Sequence, residues 1–152
     1  MKLTESRISD YDREGVILEY VEFTKEFREI KDYVLQKGES IIAYAEGNEA
    51  VSIRIEDILY FEAVDELVFA YLENQLYEVK MRLYQVEDKL KSKNVLRASK
   101  SVLLNLDYIV SVRPALNGRL YAKMENGEDI LISRKYAKQI SERIMEDEYE
   151  GI

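Results

Sequence analysis

Short apolar stretches separated by turn residues run through most of the chain and predict a domain built mainly from β-strands. The stretches are rich in Ile, Val, Tyr and Phe, as strands are. Asn117-Gly118 and Asn126-Gly127 lie between such stretches, and both positions of each pair suit the positive φ angles of a hairpin turn. The predicted strands cover residues 16–21, 41–45, 50–55, 58–63, 67–72, 76–79, 95–98, 108–112, 120–124 and 130–132.

Three segments instead carry apolar residues at helical spacing, and they divide the chain. The first helix follows the strand at 16–21 and is expected to end at Gly38, because glycine is favoured just after the last helical turn. The sequence predicts an N-terminal strand–helix extension at 1–40, a β-rich domain at 41–145 and an acidic tail at 146–152, a mainly β form of the α+β class. The helical pattern rests on Phe23, Phe27, Ile30 and Val34, on Leu83, Val86 and Leu90, and on Tyr136, Ile140 and Ile144 after a Ser133 N-cap.

Composition excludes most catalytic chemistry. The 152 residues contain no Cys and no His, which excludes disulfides, thiolate nucleophiles, His-based triads and nearly all zinc sites. We expect no catalytic residues, no enzyme activity, no metal site and no cofactor. Adjacent carboxylates lie at expected turns or helix surfaces, where they serve solubility; the pairs are Glu56-Asp57, Asp65-Glu66, Glu87-Asp88 and Glu128-Asp129.

The chain also lacks signals for export or for membrane insertion. No apolar run approaches the roughly 18 residues that a membrane span needs, and the N-terminus has no signal-peptide core. The sequence therefore predicts a cytoplasmic protein.

The distribution of charge changes the interpretation of a net charge of −8. Residues 80–143 contain 14 basic and 7 acidic side chains, a net charge of +7, whereas residues 41–79 contain 1 basic and 9 acidic side chains, a net charge of −8. The acidic total therefore conceals one basic block, and a block of this sign favours a polyanionic partner such as nucleic acid.

The segment Arg-Ala-Ser-Lys-Ser at 97–101 suits contact with phosphate. Arg97 and Lys100 supply positive charge, Ser99 and Ser101 supply hydroxyl donors, and the small side chains allow close approach of the backbone. A solvated strand end with a hydroxyl turn is the alternative explanation of the same residues.

Two further groups of basic residues lie at predicted junctions. Arg134 and Lys135 begin the last helix, where amides and a guanidinium make an anion site and Arg can bind guanine in a major groove. An ordinary cap followed by surface cations is the alternative. Arg113, Asn117 and Arg119 surround a hairpin turn, which itself accounts for Asn117 and leaves the two arginines undecided.

Taken in order, these segments resemble the LytTR family of bacterial DNA-binding domains. The family pattern has an Asp-Ile-hydrophobic-Tyr-hydrophobic-Glu strand, a Phe-x-Arg-x-His-Arg-Ser-x-x-Val-Asn segment, and late Asn-Gly and Ser-Arg-x-Tyr motifs. The resemblance covers about residues 41–145. It rests on Ile58-Leu59-Tyr60-Phe61-Glu62, Tyr77, Leu83, Leu90, the run from Arg97 to Asn105, Ile109, Asn117-Gly118-Arg119, Glu125-Asn126-Gly127 and Ile132-Ser133-Arg134-Lys135-Tyr136.

The resemblance implies an elongated β-sandwich of short antiparallel sheets. Its loops, rather than a recognition helix, would enter successive major grooves of a repeat-containing site on double-stranded DNA and bend the duplex. Lys100 matches the base-contacting position just before the family Ser, here Ser101, and Arg134 matches the Arg that enters the other groove. Ser99 stands where many members have His. The loop at 64–66 matches a third contact, but it is acidic and lacks the basic or His residue that some members have there.

Only 40 residues precede the matched region, so the chain is similar to the stand-alone members, which lack a receiver and carry a short N-terminal strand and helix. Such members are often encoded beside a small membrane protein that restrains them, which implies regulation by sequestration or by a ligand. Residues 1–40 are expected to serve dimerisation or partner binding. Asn105, which matches the Asn of the Val-Asn pair, is expected to have a turn or backbone role.

Two other classes of function stay open on the sequence alone. An interaction module could use its acidic residues 1–40 to bind a membrane protein without contacting DNA. A single-stranded RNA binder is disfavoured, because no paired aromatic residues lie beside Lys or Arg on a strand.

Overall fold

The computed structural model describes residues 1–9, 15–37, 40–91 and 93–150, without the side chains of 35–37 and 146–150. Gly38, where the first helix was expected to end, and residues 151 and 152 lie outside this description. The helices are α1 (Lys25–Lys37), α2 (Leu83–Lys89) and α3 (Arg134–Glu150), and the strands are β1 (Ser40–Tyr44), β2 (Ala50–Arg54), β3 (Tyr60–Val64), β4 (Leu67–Tyr71), β5 (Leu76–Val79), β6 (Val95–Ser99), β7 (Val102–Asn105), β8 (Ile109–Pro114), β9 (Leu120–Met124) and β10 (Asp129–Ile132).

The chain divides into two compact units, residues 1–35 and residues 36–152. In the first unit, the Thr24 hydroxyl accepts a hydrogen bond from the Phe27 amide at 3.4 Å, which is the geometry of a helix N-cap. The rings of Tyr20 and Phe27 lie 5.6 Å apart, so the segment before α1 folds against the start of the helix. The predicted first helix is confirmed.

The strand predicted at 16–21 is wrong. Residues 15–24 form neither helix nor strand, and Val16, Ile17 and Val21 are exposed. Residues of high β-propensity form a stable strand only when they pair with another strand and bury one face. No strand lies in the described part of this unit to supply that pairing.

The second unit consists of two antiparallel sheets with helices against them. The larger sheet has the strand order β2-β1-β5-β4-β3-β7-β6, and the smaller sheet has the order β10-β9-β8. The mainly β, two-sheet architecture is therefore confirmed.

Among the residues that the structure describes, none of the helices combines the length and apolar composition that a membrane span requires.

Side chains of the larger sheet alternate between two hydrophobic clusters, because successive residues of a strand face opposite sides. Phe61 of β3 and Leu103 of β7 belong to a cluster that includes Val86 of α2. Their neighbours Tyr60 and Leu104 belong to the other cluster, which the smaller sheet and α3 complete with Ala122, Met124, Ile132, Ala137 and Ile140. The smaller sheet and α3 are thus held on one face of the larger sheet and α2 on the other.

Among the described strands of the second unit, only β7 lies outside the segments that the sequence predicts as strands. All four of its residues, Val102–Asn105, are buried. A strand covered on both faces reads as a continuous apolar run instead of an alternating one, so its period gives no signal.

The two Asn-Gly turns differ in the structure. Between β8 and β9, Asn117 and Gly118 both have positive φ, at 62° and 74°, as predicted. Between β9 and β10 only Gly127 does, at 88°, so the expectation for Asn126 is wrong. The β9–β10 loop is closed by a hydrogen bond that the Gly127 amide donates to the Met124 carbonyl at 2.9 Å. In this loop only the glycine adopts the left-handed conformation.

Helix α3 begins one residue after Ser133, whose carbonyl accepts hydrogen bonds from the amides of Tyr136 and Ala137 at 3.0 Å. Ser133 therefore occupies the predicted N-cap position. The helix backbone continues to Glu150, through most of the segment that the sequence sets apart as an acidic tail.

Candidate nucleic-acid interface

Three connections that carry predicted site residues meet at one end of the second unit. They are the β6–β7 turn, the start of α3 after β10, and the β8–β9 turn. The Ser133 amide donates to the carbonyl of Ala98 in β6 at 2.8 Å, which joins the start of α3 to the strand that leads into the β6–β7 turn. Ile132 pairs with Leu120, so β10 ends beside the β8–β9 turn.

A β-bulge at Ala98 makes this junction possible. The register of β6 against β7 pairs Arg97 with Leu103 and Ser99 with Val102, which leaves Ala98 without a partner in the sheet. The extra residue of a bulge leaves the ladder, so its carbonyl is free for another donor. Ala98 is fully buried, and its carbonyl accepts the Ser133 amide.

The β6–β7 turn presents Lys100 to solvent. The hydroxyl oxygen of Ser99 accepts a hydrogen bond from the Ser101 amide at 3.2 Å and lies 3.4 Å from the Ser101 hydroxyl. Lys100, between them, is exposed, and its ammonium forms no hydrogen bond or ion pair with any described residue. The serines therefore shape the turn and the lysine is available for an external anion.

Arg97, in contrast to Lys100, has partners within the protein. Its guanidinium is bonded to the Glu87 carboxylate of α2, and its Nη1 donates to the Lys100 carbonyl at 2.8 Å. Only 14% of the Arg97 side chain is exposed. The structure thus gives Arg97 internal partners where the sequence suggested a DNA contact. The interpretation of Glu87 as a solubilising carboxylate is also corrected, because Glu87 forms an ion pair with Arg97. Spacing along the sequence does not reveal this pair, since its two residues lie on different elements.

Arg134 lies over the β8–β9 turn with its charged end free. A Cβ atom on Gly118 would lie 3.2 Å from both Cγ and Cδ of Arg134, so a side chain at position 118 would force this stem to shift by a few tenths of an ångström. The Arg134 side chain is exposed and makes no hydrogen bond or ion pair within the described residues. Lys135 is also exposed, and its ammonium lies 5.3 Å from the centre of the Tyr136 ring. The first turn of α3 therefore offers two cations beside the Lys100 turn.

The remaining predicted residues have partners of their own. Arg113 forms two hydrogen bonds with the Asp129 carboxylate, at 3.1 and 3.2 Å, and these hold the pKa of Asp129 below its ordinary value. Asp129 is therefore an ion-pair partner and not only a solubilising group. Arg119 donates through Nε to the Leu116 carbonyl at 2.9 Å, within its own turn. Asn117 supplies the left-handed turn residue.

An acidic turn lies directly beside the Lys100 turn. The Ala63 amide donates to the Ser101 carbonyl at 2.8 Å, and the β3–β4 turn follows one residue later. Asp65 and Glu66 form that turn with φ of 51° and 72°, and both are exposed. The sequence placed them in a different charge block from Lys100, so their proximity depends on the pairing of β3 with β7.

Asn105 has the backbone role expected of it and lies at the opposite end of β7. The buried side chain donates through Nδ2 to the Ile58 carbonyl at 2.9 Å, and its Oδ1 accepts from the Asp107 amide at 3.1 Å. A buried amide needs such partners, and here they fix the connection from β7 to β8.

Comparison with known proteins gives concordant matches. The family model described as the LytTr DNA-binding domain matches residues 48–145. Two proteins from Staphylococcus aureus strains NCTC 8325 / PS 47 and MRSA252, both named uncharacterized HTH-type transcriptional regulator, are 30% and 29% identical over 110 residues, which is 72% of this chain and 74% of each relative.

A solved LytTr DNA-binding domain from Bacillus cereus has a similar fold. It superposes with a TM-score of 0.63 at 23% sequence identity, covering 69% of this chain and 96% of that domain.

Proposed function

Because the chain belongs to the LytTR family of DNA-binding domains, it is a DNA-binding transcription regulator, and we propose that it reads repeats on double-stranded DNA through two cationic turns. In this proposal the Lys100 turn and the start of α3, with Arg134, enter successive major grooves. The family is one of DNA-binding domains and not of enzymes.

The observation that carries the proposal is the pair of unpartnered cations at one end of the second unit. Lys100 and Arg134 follow Ala98 and Ser133, which are joined by a backbone hydrogen bond of 2.8 Å. Both side chains are exposed, whereas neighbouring Arg97 and Arg113 are bound to carboxylates. An unpaired cation gains more from a phosphate or a guanine edge, because it does not first have to leave another partner.

The arrangement of helices favours recognition by turns. In the described part of the chain, α1, α2 and α3 are separated from one another by strands, so no two consecutive helices form a helix-turn-helix unit. Turns projecting from a rigid sheet are common carriers of binding residues.

Selection of binding sites from random duplexes tests the proposal. We expect enrichment of a repeated motif whose copies are spaced so that the two turns contact adjacent major grooves. With four to six phosphates neutralised, log K should fall against log salt concentration with a slope of about −4 to −5. Recovery of no enriched motif would overturn the proposal.

Substitution of the two cations tests their assignment. Lys100→Ala and Arg134→Ala should each cost about 1–3 kcal/mol in binding of the selected duplex and weaken base preference at different positions of the site. Lys91→Ala is the matched control, because Lys91 is 77% exposed and pairs with Asp88 at 3.5 Å. Binding of both site variants at the level of the parent would exclude these residues as contacts.

The assignment of residues 1–40 to dimerisation or to partner binding, including a small membrane protein as partner, stays a prediction. Apolar exposure in the first unit favours it, because Phe23 and Val34 are 40% and 38% exposed and Ile17 is 86% exposed. Co-fractionation of the full chain with cell membranes, compared with Phe23→Ser/Val34→Ser, would detect such a partner, and sedimentation would detect a dimer.

A further inference from the structure

An ion pair connects α2 to the strand that leads into the Lys100 turn. Arg97 Nε donates to Glu87 Oε2 at 3.1 Å, and Arg97 Nη2 donates to Glu87 Oε1 at 3.2 Å. This two-bond arrangement fixes the plane of the guanidinium as well as its position. The side chain of Arg97 is 14% exposed and that of Glu87 is 42% exposed, so solvent screens the pair only in part.

The same guanidinium also holds the turn itself. Arg97 Nη1 donates to the carbonyl of Lys100 at 2.8 Å. One carboxylate on a helix therefore orients one arginine, and that arginine fixes the backbone of the residue with the free ammonium. Only two residues separate Arg97 from Lys100, so this hydrogen bond connects the two ends of the β6–β7 turn.

The fixed segment also includes the junction with α3. Ala98, next to Arg97, is the bulged residue whose carbonyl accepts the Ser133 amide. The strand segment at 97–99 consequently determines the position of the Lys100 turn and of the start of α3 together. A change in the orientation of Arg97 would disturb the spacing between the two free cations.

We infer that Glu87 is a positioning residue for the DNA-binding surface, acting through Arg97 to keep the Lys100 turn in register with Arg134. The inference rests on the proposed function. Glu87 itself is not a contact, because a carboxylate beside phosphate would oppose binding.

The sign of the expected effect separates positioning from simple electrostatics. Removing a carboxylate from a DNA-binding protein normally raises its affinity for any duplex, because repulsion of the phosphates falls. If Glu87 positions the turn, Glu87→Gln should instead lower affinity for the selected duplex by about 5- to 50-fold. Affinity for a random duplex of the same length should stay equal or rise.

Asp88→Asn is the matched control, since it removes the same charge from the next residue of α2. The Asp88 side chain is 78% exposed, and its partner Lys91 is 77% exposed. The control should leave the ratio of affinities for selected and random duplex unchanged. Equal behaviour of Glu87→Gln and Asp88→Asn would overturn the inference.

Arg97→Lys provides a second variant that does not change charge. A lysine cannot donate two parallel bonds to a carboxylate while also reaching the Lys100 carbonyl. The variant should therefore lose selected-duplex affinity to about the same extent as Glu87→Gln. Retention of parental affinity and preference would indicate that position 97 supplies charge alone and would contradict a positioning role.

Amide hydrogen exchange keeps the inference testable without DNA. In Glu87→Gln the amides of residues 99–101 should exchange faster, by about fivefold or more, while amides of β9 exchange as in the parent. Unchanged exchange at 99–101 would contradict the inference. If the parent itself prefers no duplex sequence, the proposed function fails, and exchange still decides whether Glu87 holds the turn.

Discussion

Two neighbouring turns of the larger sheet, β6–β7 and β3–β4, differ in charge and in internal support. Lys100 projects from a turn that is closed by Arg97 and by a hydrogen bond between Ser99 and Ser101. Asp65 and Glu66 project from a two-residue turn with positive φ, and no described side chain forms a hydrogen bond or ion pair with them. The turns are adjacent, because the Ala63 amide bonds to the Ser101 carbonyl.

This difference shows that a basic block in the sequence does not become a uniformly basic surface. Strand pairing brings two carboxylates from the acidic block at 41–79 next to Lys100. DNA that approaches Lys100 and Arg134 would also approach Asp65 and Glu66. Like-charge repulsion at this edge would disfavour orientations in which phosphates face the acidic turn, and so contribute to specificity more than to affinity.

The largest change in DNA affinity should come from giving the β6–β7 turn the negative charge of the β3–β4 turn. Lys100→Glu removes a contact and adds a third carboxylate beside Asp65 and Glu66. We expect a loss of roughly 100-fold in affinity for the selected duplex, since the lost contact and the new repulsion add. Fluorescence anisotropy with selected and random duplexes at several salt concentrations would measure it.

Lys91→Glu is the control for this charge reversal. Lys91 lies just before β6, at the end of that strand away from the Lys100 turn. The control should weaken binding of selected and random duplex by a similar small factor. A loss as large as that of Lys100→Glu would mean that net charge, and not the position of Lys100, governs binding.

A smaller effect of opposite sign should follow from neutralising the acidic turn. Asp65→Asn/Glu66→Gln should raise affinity for random duplex by about three- to tenfold and raise affinity for the selected duplex less, so that specificity falls. Glu73→Gln/Glu125→Gln removes the same charge from loops at the other end of the two sheets. If both double variants shift selected and random binding equally, the acidic turn has no part in specificity.

Much of this surface could be predicted from sequence, and the missing parts have a common cause. The basic segments at 97–101 and 134–135 predict Lys100 and Arg134 as candidate contacts, and the Asn117-Gly118 turn follows from its backbone requirements. The contacts of Glu87 with Arg97, and of Ala63 with Ser101, join residues on different elements, so no spacing along the chain signals them. Strand β7 was missed because burial on both faces removes the alternation that identifies a strand.

The smallest effect should be on folding stability, where glycine is expected to act oppositely in the two turns. In β3–β4, Glu66 has φ of 72°, a conformation that costs a residue with a Cβ about 1–2 kcal/mol and costs glycine little. Asp65→Asn/Glu66→Gly should therefore raise the free energy of unfolding by about 1 kcal/mol.

No residue of the β6–β7 turn has a positive φ, so Lys100→Gly only increases the freedom of the unfolded chain and should lower stability by about 0.5–1 kcal/mol. Urea titration of the parent and both variants measures these changes through shifts of the midpoint at constant slope. Stabilisation by glycine in both turns would indicate that the β6–β7 turn is also strained. The inferred difference between the two turns would then be wrong, namely that side-chain hydrogen bonds stabilise the β6–β7 turn whereas the β3–β4 turn depends on its backbone conformation alone.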